Sequence, residues 1–292
     1  MKTSVPIVYF HAGNPHYLKL SLEQTRRTNP HSQIILFGDK SNDVFDFVTH
    51  VDMEDYNQII DKVAQSYKHL STNDANYEFL CFVRWFIINE YVKENNIEKF
   101  FVTDSDVFLY CDISEEQKKF EKYRYTLCAY ISAGISFIND INVLEEYCQL
   151  YMNVFSQKDA YNFGKCFYHF QNLQQNQRLG GVCDMTLWEI HKKSGPVGSV
   201  GETSTILDGT TFDHNINESA EYKMENGVKK VYWKNGLPYC RHERLNEMIK
   251  FNCLHFQGVS GKVTFLKETR KGYVELGKMD FDGVWPIKDN EE

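Results

Sequence analysis

The chain has 292 residues, of which 42% are hydrophobic and 25% are charged, and its formal net charge is -8. A chain of this length and composition can bury a substantial core, and it carries no low-complexity tract of the kind found in disordered proteins. The acidic balance argues against nucleic acid as the main partner, because binding to a phosphate backbone requires a basic surface.

Patterns that indicate a membrane or secreted protein are missing from the sequence. No run of about 18 apolar residues occurs, so we expect no membrane span, and residues 1–10 lack the apolar core of a signal peptide. The eight cysteines are scattered without a Cys-x-x-Cys pair. Such spacing is typical of reduced thiols rather than of a disulfide framework or a zinc site. These features predict a cytoplasmic protein.

The first part of the chain alternates between strand-like and helix-like segments. The apolar runs predict strands at 5–10, 33–37, 48–51 and 100–103. Helical spacing of apolar residues predicts helices at 16–28 and 79–94. Such alternation is typical of βαβ units with parallel strands. We therefore predict an α/β fold with a mostly parallel central sheet flanked by helices.

The later segments are less regular. Strands are predicted at 125–130 and 134–138, and helices at 141–155 and 184–193, whereas 162–178 is polar and aromatic without clear periodicity. Three glycines and a proline in 194–201 predict a mobile loop and a candidate lid. We predict one domain over 1–292. Its parts are a nucleotide-binding half at 1–110, a donor and acceptor half at 111–265, and a C-terminal extension at 266–292.

Two carboxylates follow the apolar segment 99–103, in the sequence Asp104-Ser105-Asp106. Ligands of open α/β sheets bind beyond the carboxyl ends of the strands, which is where Asp104 and Asp106 are expected to lie. Neighbouring carboxylates repel each other unless a cation or a shared proton neutralises them. Mg²⁺ or Mn²⁺ bridging nucleotide phosphates would do so, since hard cations take oxygen ligands. The pattern favours a nucleotide-sugar site, although the same spacing occurs in turns and calcium loops.

Five blocks of sequence occur in the order found in one known family. An Arg-bearing helix precedes a strand that ends in Asp-x-Asp. Segments similar to an Asn-Ala-Gly block, an Asp-Gln pair, a loop ending in Trp-Asn and a closing His-x-x-Gly-x-x-Lys follow. The blocks lie at 84–106, 132–139, 181–185, 210–215 and 254–262. The chain resembles the glycosyltransferase family typified by glycogenin and the bacterial lipopolysaccharide galactosyltransferases.

This resemblance implies a type-A glycosyltransferase fold (GT-A), a nucleotide-sugar donor and a divalent metal. The chain departs from the family pattern at three places. Ser132 replaces an Asn, Met185 replaces the Gln near the anomeric carbon, and an extra residue separates Gly258 from Lys262. The family implies retention of the sugar configuration, and the departures leave retention or inversion open.

The resemblance also implies a metal site formed by Asp104, Asp106 and His255. A cation there would bridge the donor phosphates and act as a Lewis acid. An imidazole among oxygen ligands shifts the preference toward Mn²⁺ over Mg²⁺. Without the two upstream carboxylates, His255 would be interpreted as a partly buried histidine bonded to backbone.

Further residues are expected to bind the donor. The candidates are His11, Ala12, Gly13, Asp39, Arg84, Asp104, Ser105, Gly134, Gly258 and Lys262. Lys262 would supply a point charge to the phosphates, or it is a solvated lysine in a glycine-flanked loop. Asp39 follows a strand, where it could accept hydrogen bonds from base or ribose, or could cap a helix or turn.

Arg84 and Asp184 are the candidate catalytic residues. A buried Arg is costly unless it is paired, so Arg84 is expected to pair with Asp104, with donor oxygens or in a structural salt bridge. Asp184 could bind donor hydroxyls or act as a general base in an inverting reaction. Alternatively, it caps the helix that follows. In a retaining reaction the leaving-group oxygen would assist the acceptor, and no dedicated nucleophile is required.

These observations predict a metal-dependent glycosyltransferase that moves a sugar from a nucleotide donor, UDP-linked, to a glycan, lipid-linked or protein acceptor. The aromatic segment 161–170 is either an acceptor platform or ordinary packing. One alternative is a non-catalytic nucleotide- or carbohydrate-binding protein, which the Met185 departure favours. Another is a sugar-nucleotidyltransferase, for which a glycine-rich basic loop would be expected after the first strand. The segment His11-Ala12-Gly13-Asn14-Pro15 has one glycine and no Lys or Arg.

Overall fold

A computed structural model describes residues 4–257. The strands are β1 (Ile7–His11), β2 (Ile34–Gly38), β3 (Thr49–Asp52), β4 (Phe100–Thr103), β5 (Val107–Leu109), β6 (Tyr125–Leu127), β7 (Ile135–Ile138), β8 (Val200–Glu202), β9 (Thr210–Thr211), β10 (Met224–Glu225), β11 (Val228–Lys229), β12 (Val231–Lys234), β13 (Leu237–His242), β14 (Glu247–Phe251) and β15 (Cys253–His255). The α-helices are α1 (His16–Thr28), α2 (Asn57–Ala64), α3 (Ala75–Glu94), α4 (Ile113–Gln117), α5 (Asn142–Phe155), α6 (Ala160–Gln175) and α7 (Asp184–Ser194).

The central sheet is mostly parallel, as the alternation of strands and helices predicts. Its strands lie in the order β3-β2-β1-β4-β7-β6-β8. Strand β7 runs against both of its neighbours, and the other adjacent pairs are parallel. The carboxyl ends of β1, β2 and β4 therefore meet at one edge of the sheet. His11, Asp39 and Asp104 lie at that edge.

Both faces of the sheet are covered by apolar side chains. Alternate residues of a strand point to opposite faces, so Val8 packs in one core cluster and Ile7 and Tyr9 pack in another. Helices α3, α5 and α7 cover the Val8 face, and α1 and β5 cover the opposite face. Because α3 and α7 share one face, the middle of α3 and the first turn of α7 can deliver side chains to the same end of β4.

The last part of the described chain forms a second, smaller sheet in the order β12-β13-β14-β9. Strand β15 leaves this region and pairs antiparallel with β5, with His255 opposite Val107. A third apolar cluster packs between these elements. The pairing brings the end of β15 back to the residues that follow β4, although the two segments are far apart in sequence.

Most of the predicted elements occur, and several boundaries differ for local reasons. Helix α3 begins at residue 75 instead of 79, because the Asp74 carboxylate caps it by accepting from two backbone N–H groups at 3.0 Å. Strand β6 ends at residue 127 instead of 130, because Ala129 and Tyr130 have positive φ values of 50° and 67°. Within the predicted loop 194–201, residues 200 and 201 belong to β8 of the central sheet.

The segment 162–178, which shows no clear periodicity in sequence, is mostly helical and forms α6. All eight cysteines are free thiols, as their spacing predicts. Within residues 4–257, none of the helices combines the length and apolar character needed to cross a membrane. The predicted extension at 266–292 lies outside the described residues.

Candidate functional site

Arg84 joins two carboxylates at the carboxyl end of β4. Its Nη1 lies 2.8 Å from Oδ1 of Asp104, and its Nη2 lies 2.6 Å from Oδ2 of Asp184. Burial lowers the pKa of Arg84, but the neighbouring Asp184 and Asp104 carboxylates outweigh this effect and hold the pKa above its ordinary value. The guanidinium therefore stays charged. The structure brings together both predicted catalytic residues and one of the predicted metal ligands.

The Asp184 carboxylate is held on both of its oxygens. Oδ2 accepts from Arg84 and, at 3.0 Å, from the Trp85 indole N–H, and Oδ1 accepts from the Met185 N–H at 2.9 Å. Cys183 occupies the N-cap position of α7, and Asp184 is the first helical residue, so the alternative in which Asp184 caps this helix does not hold. With 4% of its surface exposed, Asp184 is placed to anchor Arg84.

Gly134 permits a close approach between β7 and Asp104. A Cβ atom added at Gly134 would lie 2.1 Å from Oδ2 of Asp104, which is far inside van der Waals contact. The Asp104 N–H also donates to the Gly134 carbonyl at 2.8 Å. Any larger residue at position 134 would therefore displace the Asp104 carboxylate. Gly134 was predicted to bind the donor. In the structure it leaves room for the Asp104 carboxylate and accepts a hydrogen bond from the Asp104 backbone.

Asp106 and His255 meet across the β5–β15 pair. Nε2 of His255 lies 3.3 Å from Oδ1 of Asp106, and the Phe256 N–H donates to the Asp106 carbonyl at 3.0 Å. Burial lowers the pKa of His255, but the hydrogen bond to Asp106 and the nearby carboxylates of Asp106, Asp104 and Asp213 raise it above the ordinary 6.5. The imidazole is therefore held close to negative charge by the fold.

The donor set of this site suits a divalent cation, although the side chains do not converge as a closed metal cage. Within residues 4–257, no three His, Cys, Asp or Glu side chains are grouped closely enough to hold an ion. Asp104 faces Arg84, while Asp106 and His255 lie side by side. Carboxylate oxygens and an imidazole nitrogen are ligands that Mn²⁺ accepts. The structure thus places two of the three predicted ligands side by side and Asp104 against Arg84, and it shows no formed metal site within residues 4–257.

His11 and Ser105 connect the end of β1 to the Asp-x-Asp segment. The Ser105 hydroxyl lies 2.8 Å from Nδ1 of His11, and 8% of Ser105 is exposed. Ala12, which follows His11, is exposed to solvent. The contact places the predicted nucleoside-binding segment beside the predicted phosphate-binding segment.

Asp39 caps a short 3₁₀ turn after β2. It accepts from the Ser41 N–H at 2.8 Å and from the Gly13 N–H at 2.5 Å. The Ser41 hydroxyl, followed by these backbone donors, lowers the pKa of Asp39. Gly13 has a φ of +86°, a conformation that favours glycine. The capping alternative for Asp39 is therefore present, and it ties the β2 loop to the β1 loop.

The structure also contains contacts that the sequence pattern did not single out. Trp85 donates a hydrogen bond to Asp184. Its position next to Arg84 was the sequence feature that could have pointed to this contact. Asp213 accepts from the His255 N–H at 3.1 Å and pairs with Lys229. No spacing or motif marks Lys229 as part of the site. Gly258 and Lys262, two predicted donor-binding residues, lie outside the described residues.

No model of a known protein family matches the chain, and no curated protein matches it. Among solved structures, the chain is similar to the apo form of mouse xyloside xylosyltransferase 1. The TM-score is 0.43 at 12% identity, over 68% of this chain and 84% of that chain.

The chain is also similar to the glycosyltransferase GlyE of Streptococcus pneumoniae TIGR4, with a TM-score of 0.36 at 15% identity, over 68% of this chain and 45% of that one. A third neighbour is a glycosyltransferase involved in glycosylation of the major capsid of PBCV-1. The TM-score is 0.28 at 14% identity, over 51% of this chain and 66% of that chain. All three scores lie below 0.5, so these are distant structural neighbours that assign no activity to this chain.

Proposed function

We propose that this chain is a glycosyltransferase that moves a sugar from a UDP-sugar to a glycan or a related acceptor, with Mn²⁺ or Mg²⁺ as its cation. The observation that supports this most is the meeting of Asp106 and His255, 3.3 Å apart, directly after the carboxyl end of β4. Ligands of α/β sheets bind at that edge. The family resemblance of the five sequence blocks also supports a glycosyltransferase function.

In this proposal Asp106 and His255, with Asp104 beside them, would hold the cation close to the donor phosphates. When bound, the cation stabilises the negative charge that develops on the leaving diphosphate. Arg84 fixes the orientation of Asp104 through its 2.8 Å contact. Asp184 in turn fixes Arg84. The chain's own residues thus bind and orient the donor.

The nucleoside end of the donor is assigned to the loops after β1 and β2. His11, Ala12 and Gly13 border this side, together with Asp39 and Ser105. Gly258 and Lys262 are proposed to contact the phosphates. Because both oxygens of Asp184 already accept hydrogen bonds, we assign Asp184 to positioning rather than to a general base. This assignment fits a retaining reaction, in which no enzymatic base or nucleophile is required.

The proposal is tested by nucleotide release from a panel of UDP-, GDP- and CMP-sugars in the presence of Mn²⁺. Wild type, Asp106→Asn and Asp61→Asn are compared, because Asp61 is an exposed carboxylate on α2 and serves as the matched control. Release from one UDP-sugar by wild type and Asp61→Asn, but not by Asp106→Asn, supports the proposal. Metal-dependent UDP binding without turnover, with and without added acceptors, would favour a binding protein. If wild type neither releases a nucleotide nor binds UDP in a metal-dependent way, the proposal is contradicted.

A further inference from the structure

A buried ion pair lies behind His255. Nζ of Lys229 is 2.8 Å from Oδ1 of Asp213, and only 2% and 1% of the two side chains are exposed. Removing two charges from water is costly, and a buried pair often contributes little net stability. Its presence at this position therefore calls for a role beyond stability.

The pair is connected directly to the backbone of His255. Oδ2 of Asp213 accepts from the His255 N–H at 3.1 Å, and the Ile216 N–H donates to the His255 carbonyl at 2.9 Å. Both backbone polar groups of His255 are thus bound by the segment 213–216.

Lys229 makes three hydrogen bonds to the segment 213–216. Its ammonium donates to Asp213 and, at 2.5 Å, to the carbonyl of Asn215. Its backbone N–H donates to the carbonyl of Ile216 at 2.8 Å. The position of the 213–216 segment, and with it the backbone of His255, therefore depends on Lys229.

The imidazole of His255 lacks the usual means of orientation. A metal-binding histidine normally donates its second ring N–H to an acceptor, which fixes the ring. Nδ1 of His255 is buried and has no hydrogen-bond partner among residues 4–257. The ring of His214 lies edge-on to it, with centroids 6.4 Å apart. Apart from its contact with Asp106 at Nε2, the ring is therefore oriented by backbone anchoring and packing.

We propose that Asp213 and Lys229 are positioning residues that hold His255 with Nε2 directed at Asp106. They act through His255 and touch neither the donor nor the cation. This inference rests on the proposed function, because it takes His255 to be a cation ligand.

The test measures Mn²⁺ affinity in the presence of UDP, from the electron paramagnetic resonance signal of free Mn²⁺. Loss of an outer partner of a metal ligand typically weakens metal binding about 10- to 100-fold, and Lys229→Met is expected to do so. Metal-free UDP binding should not change. The control is Lys230→Met, because Lys230 pairs with Glu225 at 2.8 Å with 31% of its side chain exposed. Unchanged Mn²⁺ affinity in folded Lys229→Met would overturn the proposal.

Lys229→Met leaves the buried Asp213 carboxylate unpaired, so a second variant removes both charges. In Asp213→Asn/Lys229→Met the amide oxygen can still accept from His255, but the anchor is lost, and the same weakening is expected. His255→Ala separates the two proposals. If Mn²⁺ affinity survives His255→Ala, the cation assignment itself is wrong. If His255→Ala loses affinity while the folded Lys229 variants keep it, only the positioning role is wrong.

Discussion

The Arg84 guanidinium and the Asp184 carboxylate lie 2.6 Å apart, with only 13% and 5% of the two side chains exposed. Because Asp184 binds Arg84 and Arg84 binds Asp104, the first turn of α7 is linked through α3 to the end of β4. A planar guanidinium can contact two carboxylates at once. The geometry makes Arg84 the centre of the site and Asp184 its support.

Arg84→Lys is expected to lower kcat/KM for the donor by at least about tenfold, because an ammonium lacks the planar fork that spans Asp104 and Asp184. It should also lower stability by up to about 3 kcal/mol, since one buried carboxylate loses its partner. Donor kinetics and urea unfolding measure the two effects.

The matched control is Arg124→Lys, because Arg124 also joins two carboxylates, Asp140 and Glu146, each at 2.7 Å. Those partners belong to none of the predicted site residues, so donor kinetics should stay at the wild-type level. Wild-type kcat/KM in Arg84→Lys would exclude the bridge from donor binding.

Trp85→Phe is expected to lower stability by more than about 1 kcal/mol, because Asp184 loses one hydrogen bond and the smaller ring leaves a cavity where the fully buried indole packs. It should reduce kcat/KM less than Arg84→Lys does, since Arg84 still holds Asp184. The comparison is Trp188→Phe, because Trp188 is equally buried and its indole N–H has no partner among residues 4–257. Thermal unfolding and donor kinetics are measured. Equal losses of kcat/KM in both variants would mean that the indole contact to Asp184 has no specific role.

Gly134→Ala is expected to disturb the site more than the fold. The new Cβ would lie 2.1 Å from Oδ2 of Asp104, so the carboxylate must move, at a cost of about 1–3 kcal/mol in stability. Mn²⁺-dependent UDP binding should weaken at least about tenfold, which is about 1.4 kcal/mol in binding free energy. Gly164→Ala in α6 is the control, because its Cβ would meet nothing within 4 Å. Wild-type UDP binding in Gly134→Ala would contradict the role of Asp104.

His255 predicts a specific dependence of stability on pH. Its pKa in the folded protein is raised above 6.5, mainly by Asp106 acting against burial. A histidine whose pKa is raised by folding stabilises the protein fully at pH values below its pKa in the unfolded chain. That stabilisation is lost as the pH rises through its pKa in the folded protein. Deprotonation also frees the imidazole for a cation, so the stabilisation by Mn²⁺ with UDP should grow over the same range.

Melting temperatures of wild type and His255→Gln, with and without Mn²⁺ and UDP, measure both trends. Burial lowers the pKa of His191 and His214, so their contributions have the opposite sign. The His191 contribution cancels in the difference between the two proteins. The His214 contribution does not cancel, because the neighbouring His255 also lowers the pKa of His214. A constant difference between about pH 6 and 8 would contradict the assignment of His255.

The sequence predicted the architecture where the apolar pattern was strong. Helix α1 occupies the predicted residues 16–28, and the strand over 100–103 is reproduced. Helix α6 was missed because polar side chains surround its apolar positions, although Phe163, Cys166, Phe167 and Phe170 follow helical spacing and Phe163 and Phe170 pack against the core. The end of β6 could not be predicted, because Ala129 adopts a left-handed conformation that its side chain does not favour.

The site was predictable in part. Asp104 and Asp106 follow from strand order, and His255 from the family resemblance. The Arg84–Asp104 pair was among the predicted pairings, whereas Asp184 as the second partner of Arg84 was not named. Lys229 could not be found, because it lies outside the five sequence blocks and its role depends on tertiary hydrogen bonds to the 210–215 block.

The central claim is that the segment after β4 and the end of β15 form one cation-dependent nucleotide site. Calorimetric titration of UDP with and without Mn²⁺, in wild type and in Asp106→Asn, tests it most directly. The prediction is that Mn²⁺ strengthens UDP binding to wild type by at least about tenfold, a gain of about 1.4 kcal/mol, and that Asp106→Asn abolishes this gain. Equal Mn²⁺ enhancement in both proteins, or none in wild type, would contradict the account.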